Sequence, residues 1–169
     1  MVTFQVVGSR GQIDRVVRLA REIWQEHYLA IIGQRQIDYM LDTFQSAAAI
    51  AGQIEAGQAY FLARHRGQDI GYLAIHPDAD GAGLKISKIY VRKAERGLGV
   101  GQAMLVLVEE ICRRRGVGRI WFTVNKFNAH SIEWYSRMGF VNVGPVVQDI
   151  GGGFVMDDFR FEKSIAIPQ

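Results

Sequence analysis

Three glycines, Gly97, Gly99 and Gly101, in the turn that follows an apolar strand are the residues in this chain whose spacing suggests chemistry. The stretch runs from Leu84 to Val91 and on through Arg96-Gly97-Leu98-Gly99-Val100-Gly101-Gln102. Leu84–Val91 reads as a strand, because Ile86, Ile89, Tyr90 and Val91 suit a pleated, buried surface. Behind the glycines, Val100, Ala103, Met104, Leu107 and Ile111 recur at helical intervals. Strand, glycine turn and helix together make a holder for a phosphate. The first turn of a helix has amides without acceptors, and the macrodipole adds partial positive charge there. Glycine lets the anion approach that backbone with no Cβ in the way. Two other phosphate loops are excluded by spacing. The dinucleotide fingerprint needs Gly-x-Gly-x-x-Gly, whereas the pattern here is Gly97-x-Gly99-x-Gly101. The nucleoside-triphosphate loop needs Gly-Lys followed by Ser or Thr, and the chain has no such triplet. A glycine-rich turn without a ligand is the plain alternative at this point.

What remains is Arg96-x-x-Gly99-x-Gly101 behind Ile89-Tyr90-Val91. It resembles the pyrophosphate loop of the GCN5-related N-acetyltransferases (GNAT), which bind acetyl-CoA. A second stretch, WFTVNKFNAHSIEWYSRMGF at 121–140, resembles the later part of the same family. It has a strand ending in Val124-Asn125, then Asn128, Ala129, Ile132, Tyr135 and the Gly139-Phe140 pair. The helix carrying Trp24 and Tyr28, the segment 37–41 and the ending 149–158 are similar to one bacterial branch, the PaiA-type diamine and polyamine acetyltransferases.

The resemblance implies an α+β fold, a three-layer α/β-like sandwich. Its central sheet is mixed and mostly antiparallel, with helices on both faces. The strands at 84–91 and 119–124 form a parallel, splayed central pair. Acetyl-CoA is the implied cosubstrate. Its pantetheine pairs with the backbone of Ile89, Tyr90 and Val91, and its pyrophosphate sits on Arg96, Gly97, Leu98, Gly99, Val100, Gly101 and Gln102. Asn128 meets the pantetheine arm, caps the following helix, or does both. Tyr135 takes the role of general acid to the departing thiolate, since a phenol at ~10 lies close to an alkyl thiol at ~8.5. The plain reading of Tyr135 is a core tyrosine on an amphipathic helix. The implied reaction is direct attack by an amine, with a polyamine as first candidate. A peptide N-terminus is the second acceptor class, and a non-catalytic acetyl-CoA-binding regulator is a third reading. An aliphatic ammonium at ~10.4 must lose a proton. Glu26, Asp38 and backbone carbonyls are all candidates for taking it.

The elements that position these residues follow from pattern. A first strand at 3–7 precedes a helix opened by Ser9 and Gln12 at capping-box spacing. Ile13, Val16, Val17, Ala20, Ile23, Trp24 and His27 line one face of that helix. Trp24 and Tyr28 share a face near its end, either as core rings or as an aromatic wall for an amine cation. Gly33 ends it, and two short helices at 34–44 and 46–56 follow. Glu26, Asp38, Asp42 and Glu55 there are solvated charges or recognise a cationic substrate. Strands at 59–64 and 70–76 flank a turn at 66–69, and 77–83 is a polar connection. The glycine-loop helix ends in Arg113-Arg114-Arg115 before Gly116, which suits a helix C-terminus. Asn128 opens a helix at 129–138, and strands at 140–148 and 154–163 close the chain around Gly151-Gly152-Gly153. The tail from Ser164 is expected to be loose.

At 169 residues, 49% hydrophobic and 22% charged, the chain reads as one soluble domain spanning 1–169. A net charge of +3 is too small to argue for nucleic acid but suits a polyanionic cosubstrate. Lone Cys112 excludes an internal disulfide and reads as an unreactive helix residue. The four histidines lack metal spacing, so no metal is expected. No signal peptide or membrane span is visible, and a cytoplasmic protein is expected. A homodimer through the aromatic-rich final strand at 154–161 is a further expectation.

Overall fold

The computed structural model describes residues 1–168. Helix α1 (Arg10–Ile32) opens on a complete capping box. The Ser9 hydroxyl accepts from the Gln12 amide, and the Gln12 carboxamide accepts from the Ser9 amide. The helix ends at Gly33, whose φ of 79° suits glycine. Helices α2 (Gln34–Phe44) and α3 (Ala47–Glu55) follow, the second capped by the Ser46 side chain.

Two compact units make up the described chain, one from Met1–His76 with Lys88–Val106, the other from Pro77–Ser87 with the chain from Leu107 onward. In the first, β1 (Thr3–Val6) pairs antiparallel with β2 (Ala59–His65), and β2 with β3 (Gln68–Pro77). Arg66 and Gly67 alone form the β2–β3 turn, with φ of 51° and 75°. Such two-residue turns match the twist of paired strands. The turn is tighter than the sequence suggests, and Gln68 and Asp69 already belong to β3. The core of this unit gathers Val16, Ala20 and Ile23 from α1, Ile37 from α2, Ile50 from α3, and Leu62, Leu73 and Ile75 from the strands.

In the second unit, the start of β4 (Leu84–Val91) pairs in parallel with β5 (Arg119–Asn125), at Leu84↔Ile120 and Lys85↔Trp121. Strand β5 pairs antiparallel with β7 (Phe154–Ser164), and β7 with β6 (Val141–Gly151). Strand β4 contributes to both units, which gives the order β1-β2-β3-β4-β5-β7-β6. This is the mixed, mostly antiparallel sheet with one central parallel pair that the resemblance implied. Helix α4 (Val100–Arg115) is the crossover between β4 and β5, and α5 (Ala129–Arg137) follows β5.

One expectation changes here. The tail beyond Ser164 is not loose throughout, because Ile165 is buried and its amide donates to the Gly118 carbonyl at 2.9 Å. Strand β7 is hydrogen-bonded on both sides, and β6 is the edge of that ladder.

Candidate active site

The glycine loop belongs to the first unit. The Arg92 amide donates to the Ile70 carbonyl at 2.8 Å and ties the end of β4 to β3. A single 3-10 turn, Lys93–Glu95, follows, and Arg96 Nε donates to the Val91 carbonyl at 3.2 Å. Gly97 and Gly99 have φ of 83° and 80°, and a Cβ at either would meet nothing within 4 Å. Backbone conformation, not crowding, therefore demands glycine at both. The first bond of α4 runs from the Ala103 amide to the Gly99 carbonyl at 3.0 Å. Helix geometry leaves the amides of Val100, Gly101 and Gln102 ahead of the first intrahelical acceptor. Leu98 stands exposed at the tip. The result is an open cradle at the positive end of a helix, which fits an anionic phosphate.

The strand end before this loop is held from below. A Cβ on Gly71 of β3 would strike the Tyr90 carbonyl oxygen and lie 3.3 Å from Val91 Cα. Tyr90 also sits in an aromatic cluster, with ring centroids 5.5 Å from Trp24, 6.1 Å from Tyr28 and 5.4 Å from Tyr72. The Tyr28 and Tyr90 hydroxyls share a hydrogen bond of 2.9 Å. Trp24 is 2% exposed and its indole N–H donates to the Tyr72 hydroxyl at 2.9 Å. Of the two rings expected near an acceptor, Tyr28 retains exposed surface and Trp24 is core.

The Trp24 bond opens a buried polar chain that the sequence did not disclose. The Tyr72 hydroxyl donates to Gln45 Oε1 at 2.8 Å, and Gln45 Nε2 donates to the Tyr60 hydroxyl at 3.2 Å. Tyr60 in turn donates to Gln53. Burial pushes the Tyr72 phenol well above its usual range and that of Tyr60 up to about 12. The chain therefore carries no phenolate charge at physiological pH.

Tyr135 lies in the second unit, in the last turn of α5. The Phe140 amide donates to the Tyr135 carbonyl and the Gly139 amide to the Ser136 carbonyl, both at 3.1 Å, with Gly139 at a φ of 94°. These two bonds define a Schellman stop. Its usual apolar clasp is the contact between the Phe140 and Tyr135 rings, 6.1 Å between centroids. The Tyr-x-x-x-Gly-Phe spacing thus has a folding reason, and the same stop fixes the orientation of Tyr135. The Tyr135 ring packs 4.1 Å from Phe122 and is 7% exposed.

Asn128 occupies the N-cap position of α5, with its carbonyl accepting from the Ile132 amide at 3.0 Å. Its side chain is buried but makes no capping bond, contrary to the sequence expectation. The backbone at φ −84°, ψ 63° departs from the extended geometry that aims a cap side chain at the helix amides. The Asn125 side chain serves the turn instead, accepting from the Phe127 amide at 2.9 Å.

Strand alternation puts Trp121 and Thr123 on the face of β5 opposite Phe122. There the Arg160 guanidinium lies 3.9 Å from the Trp121 ring centroid and Lys85 Nζ lies 5.0 Å from it. The Trp121 indole donates to both oxygens of Asp78, at 2.9 and 3.1 Å. Asp158 is 3% exposed, and burial raises its carboxyl above the usual range despite a hydrogen bond from Thr123. Burial, then Arg160, lowers the Lys85 ammonium. Asp78, Lys85, Asp158 and Arg160 were not candidate site residues in the sequence; Asp78 lies in the segment read as a plain connection. Glu26, Asp38, Asp42 and Glu55 are all exposed. Cys112 is buried and its thiol is pushed up to about 11, which fits an inert residue.

Similarity to known proteins bears on these features. The sequence model of the acetyltransferase (GNAT) family matches residues 14–140. Streptothricin acetyltransferase from Streptomyces lavendulae is 35% identical over 74 residues, 44% of this chain and 39% of that protein. IAA acetyltransferase from Azospirillum brasilense is 26% identical over 132 residues, 78% of this chain and 80% of that one. The crystal structure of PaiA N-acetyltransferase from Thermoplasma acidophilum in complex with coenzyme A shares the fold. Its TM-score is 0.78 at 18% identity, over 97% of this chain and 99% of that one.

Proposed function

This chain belongs to the acetyltransferase (GNAT) family, and we propose that it is an acetyl-CoA-dependent N-acetyltransferase acting on a primary amine of a small molecule. In this reading residues 1–169 serve as one catalytic domain in the cytoplasm. The observation that carries it is the cradle of left-handed Gly97 and Gly99 at the open N-terminus of α4. Acetyl-CoA supplies a thioester whose acetyl group passes to the amine while CoA leaves as a thiol. The amides from Gly97 to Gln102, with Arg96 at the edge, hold the pyrophosphate. The backbone of Ile89, Tyr90 and Val91 pairs with the pantetheine arm, and Gly71 keeps that strand end in place. Asn128 is assigned to the same arm by its position in the second motif. Tyr135 donates the proton that the departing sulfur needs.

A polyamine is the first acceptor to test, supported by the sequence resemblance of segments 37–41 and 149–158. Tyr28, half-buried beside Tyr90, is the aromatic assigned to the acceptor, with Trp24 behind it in the core. A homodimer through the final strand at 154–161 belongs to the same reading; light scattering on the eluting protein measures its mass. The deciding experiment is release of free CoA thiol from acetyl-CoA with putrescine, spermidine, spermine, amino acids, streptothricin and short peptides. Release with one amine class upholds the reading and names the acceptor. Acetyl-CoA binding with no release on any acceptor points to a regulator, and absence of binding overturns the assignment of the loop.

A further inference from the structure

A polar groove lies beside the cofactor loop within the first unit. Its volume is about 370 Å³, and Arg15, Arg18 and Glu22 of α1, Gln68 and Asp69 of β3, and Arg92 line it. The charges in it do not cancel. Arg15 donates to both oxygens of Asp69, at 2.8 and 2.6 Å, and Arg64 Nε donates to the same carboxylate at 3.1 Å. Glu22 holds Arg92 at 3.1 Å. Arg18 is exposed and enters no ion pair among the described residues. Three lining guanidinium groups (Arg15, Arg18 and Arg92) therefore meet two carboxylates (Glu22 and Asp69), and Arg64, which shares Asp69 from outside the lining, brings the surplus of the cluster to two positive charges.

We propose that this groove binds a phosphomonoester dianion. Planar guanidinium forks match phosphate oxygens in pairs, and a monoester carries close to two negative charges at neutral pH. The existing ion pairs hold Arg15 and Arg92 in place before the ligand arrives, and Arg18 is the free fork that closes on it. The hydrogen bond from Arg15 holds the Asp69 carboxyl below its usual range, so the surrounding pairs persist through mildly acid pH. Arg92 joins the groove to the loop. Its amide is fixed to Ile70, and its carbonyl accepts the Glu95 amide of the 3-10 turn at 3.0 Å.

Two sources share this chemistry. One is the ribose 3'-phosphate of the coenzyme whose pyrophosphate the adjacent loop holds, and this source rests on the acetyl-CoA reading. The other is a separate phosphorylated effector, which does not depend on it. Calorimetry with CoA, dephospho-CoA and inorganic phosphate, on the native protein and on Arg18→Glu, separates them. Arg18 is exposed, so the variant is expected to melt like the native chain. A preference of about tenfold for CoA over dephospho-CoA, lost in Arg18→Glu, upholds the groove and names the coenzyme's own phosphate. Equal binding of the two, with inorganic phosphate bound by the native protein and not by the variant, upholds it for a separate effector. Phosphate binding lost in Arg18→Glu, with no binding of either coenzyme form, keeps the groove and removes the acetyl-CoA reading. A CoA preference or phosphate affinity that Arg18→Glu leaves unchanged, or the absence of both in the native protein, overturns the proposal.

Discussion

Tyr135 is held by packing before any chemistry is asked of it. Its ring lies against Phe122 and Phe140, and its carbonyl closes the helix stop. Tyr135→Phe keeps those ring contacts and removes only the hydroxyl. The variant is expected to retain its melting temperature and acetyl-CoA affinity while kcat falls by ~10²–10⁴-fold. Unchanged turnover across pH removes Tyr135 from the mechanism. Two carboxylates make opposite predictions about stability. Asp69 has its folded pKa lowered, first by the Arg15 hydrogen bond, so it stabilises the fold above ~4 and loses that effect as pH falls. Asp158 has its folded pKa raised by burial, so its ionised form disfavours the fold above that raised value and the penalty vanishes below ~4. Asp69→Asn should therefore lower the melting temperature at pH 7, whereas Asp158→Asn should raise it. The Asp158 difference should shrink as melts are taken from pH 8 down to pH 4, whereas the Asp69 difference should hold to about pH 4 and shrink below it. The same sign for both at pH 7 contradicts this account.

At the scale of elements, the β4 end and its loop are governed by two different glycine requirements. Gly71 is a matter of space, because its Cβ would strike the Tyr90 carbonyl. Gly71→Ala is expected to displace the strand end, cost about 1–3 kcal/mol of stability and weaken acetyl-CoA binding. Denaturant melts and calorimetry read both effects, and full affinity in a folded variant disconnects β3 from the site. Gly99 is a matter of conformation, with open space around it and a φ of 80°. Asparagine tolerates the left-handed region and is neutral, so Gly99→Asn should keep most of the affinity. Gly99→Asp adds a charge at the proposed pyrophosphate cradle and should bind acetyl-CoA about tenfold more weakly than the Asn variant. Equal affinities for the two would mean that no anion sits there. The local chemistry of these elements was legible in the sequence. The Ser9–Gln12 box, the Gly33 stop, the Gly97–Gly99 turn and the Gly139 stop all involve residues within a few positions of one another. Asn128 was the exception, since its cap depended on a backbone angle that residue type does not set.

At the scale of the molecule, contacts distant in sequence govern what the pattern missed. Ile165 lies in a stretch with no periodic signal, yet it is buried and bonded to Gly118 across β5's entry. Ile165→Ala is expected to cost about 2 kcal/mol, measured by denaturant unfolding, and a neutral substitution would mean the tail is not part of the fold. By itself the sequence determined the strand–loop–helix cradle, the placement of Tyr135 and the family resemblance, because each rests on short-range spacing and on backbone preferences that a few residues impose. Only the tertiary structure decided that Trp24 is core, that Gln45 links Tyr72 to Tyr60, that Asp78 holds Trp121, and that Arg15 and Arg64 share Asp69. Those partners are brought together by strand register and helix packing, and no local spacing encodes which distant position a side chain will meet.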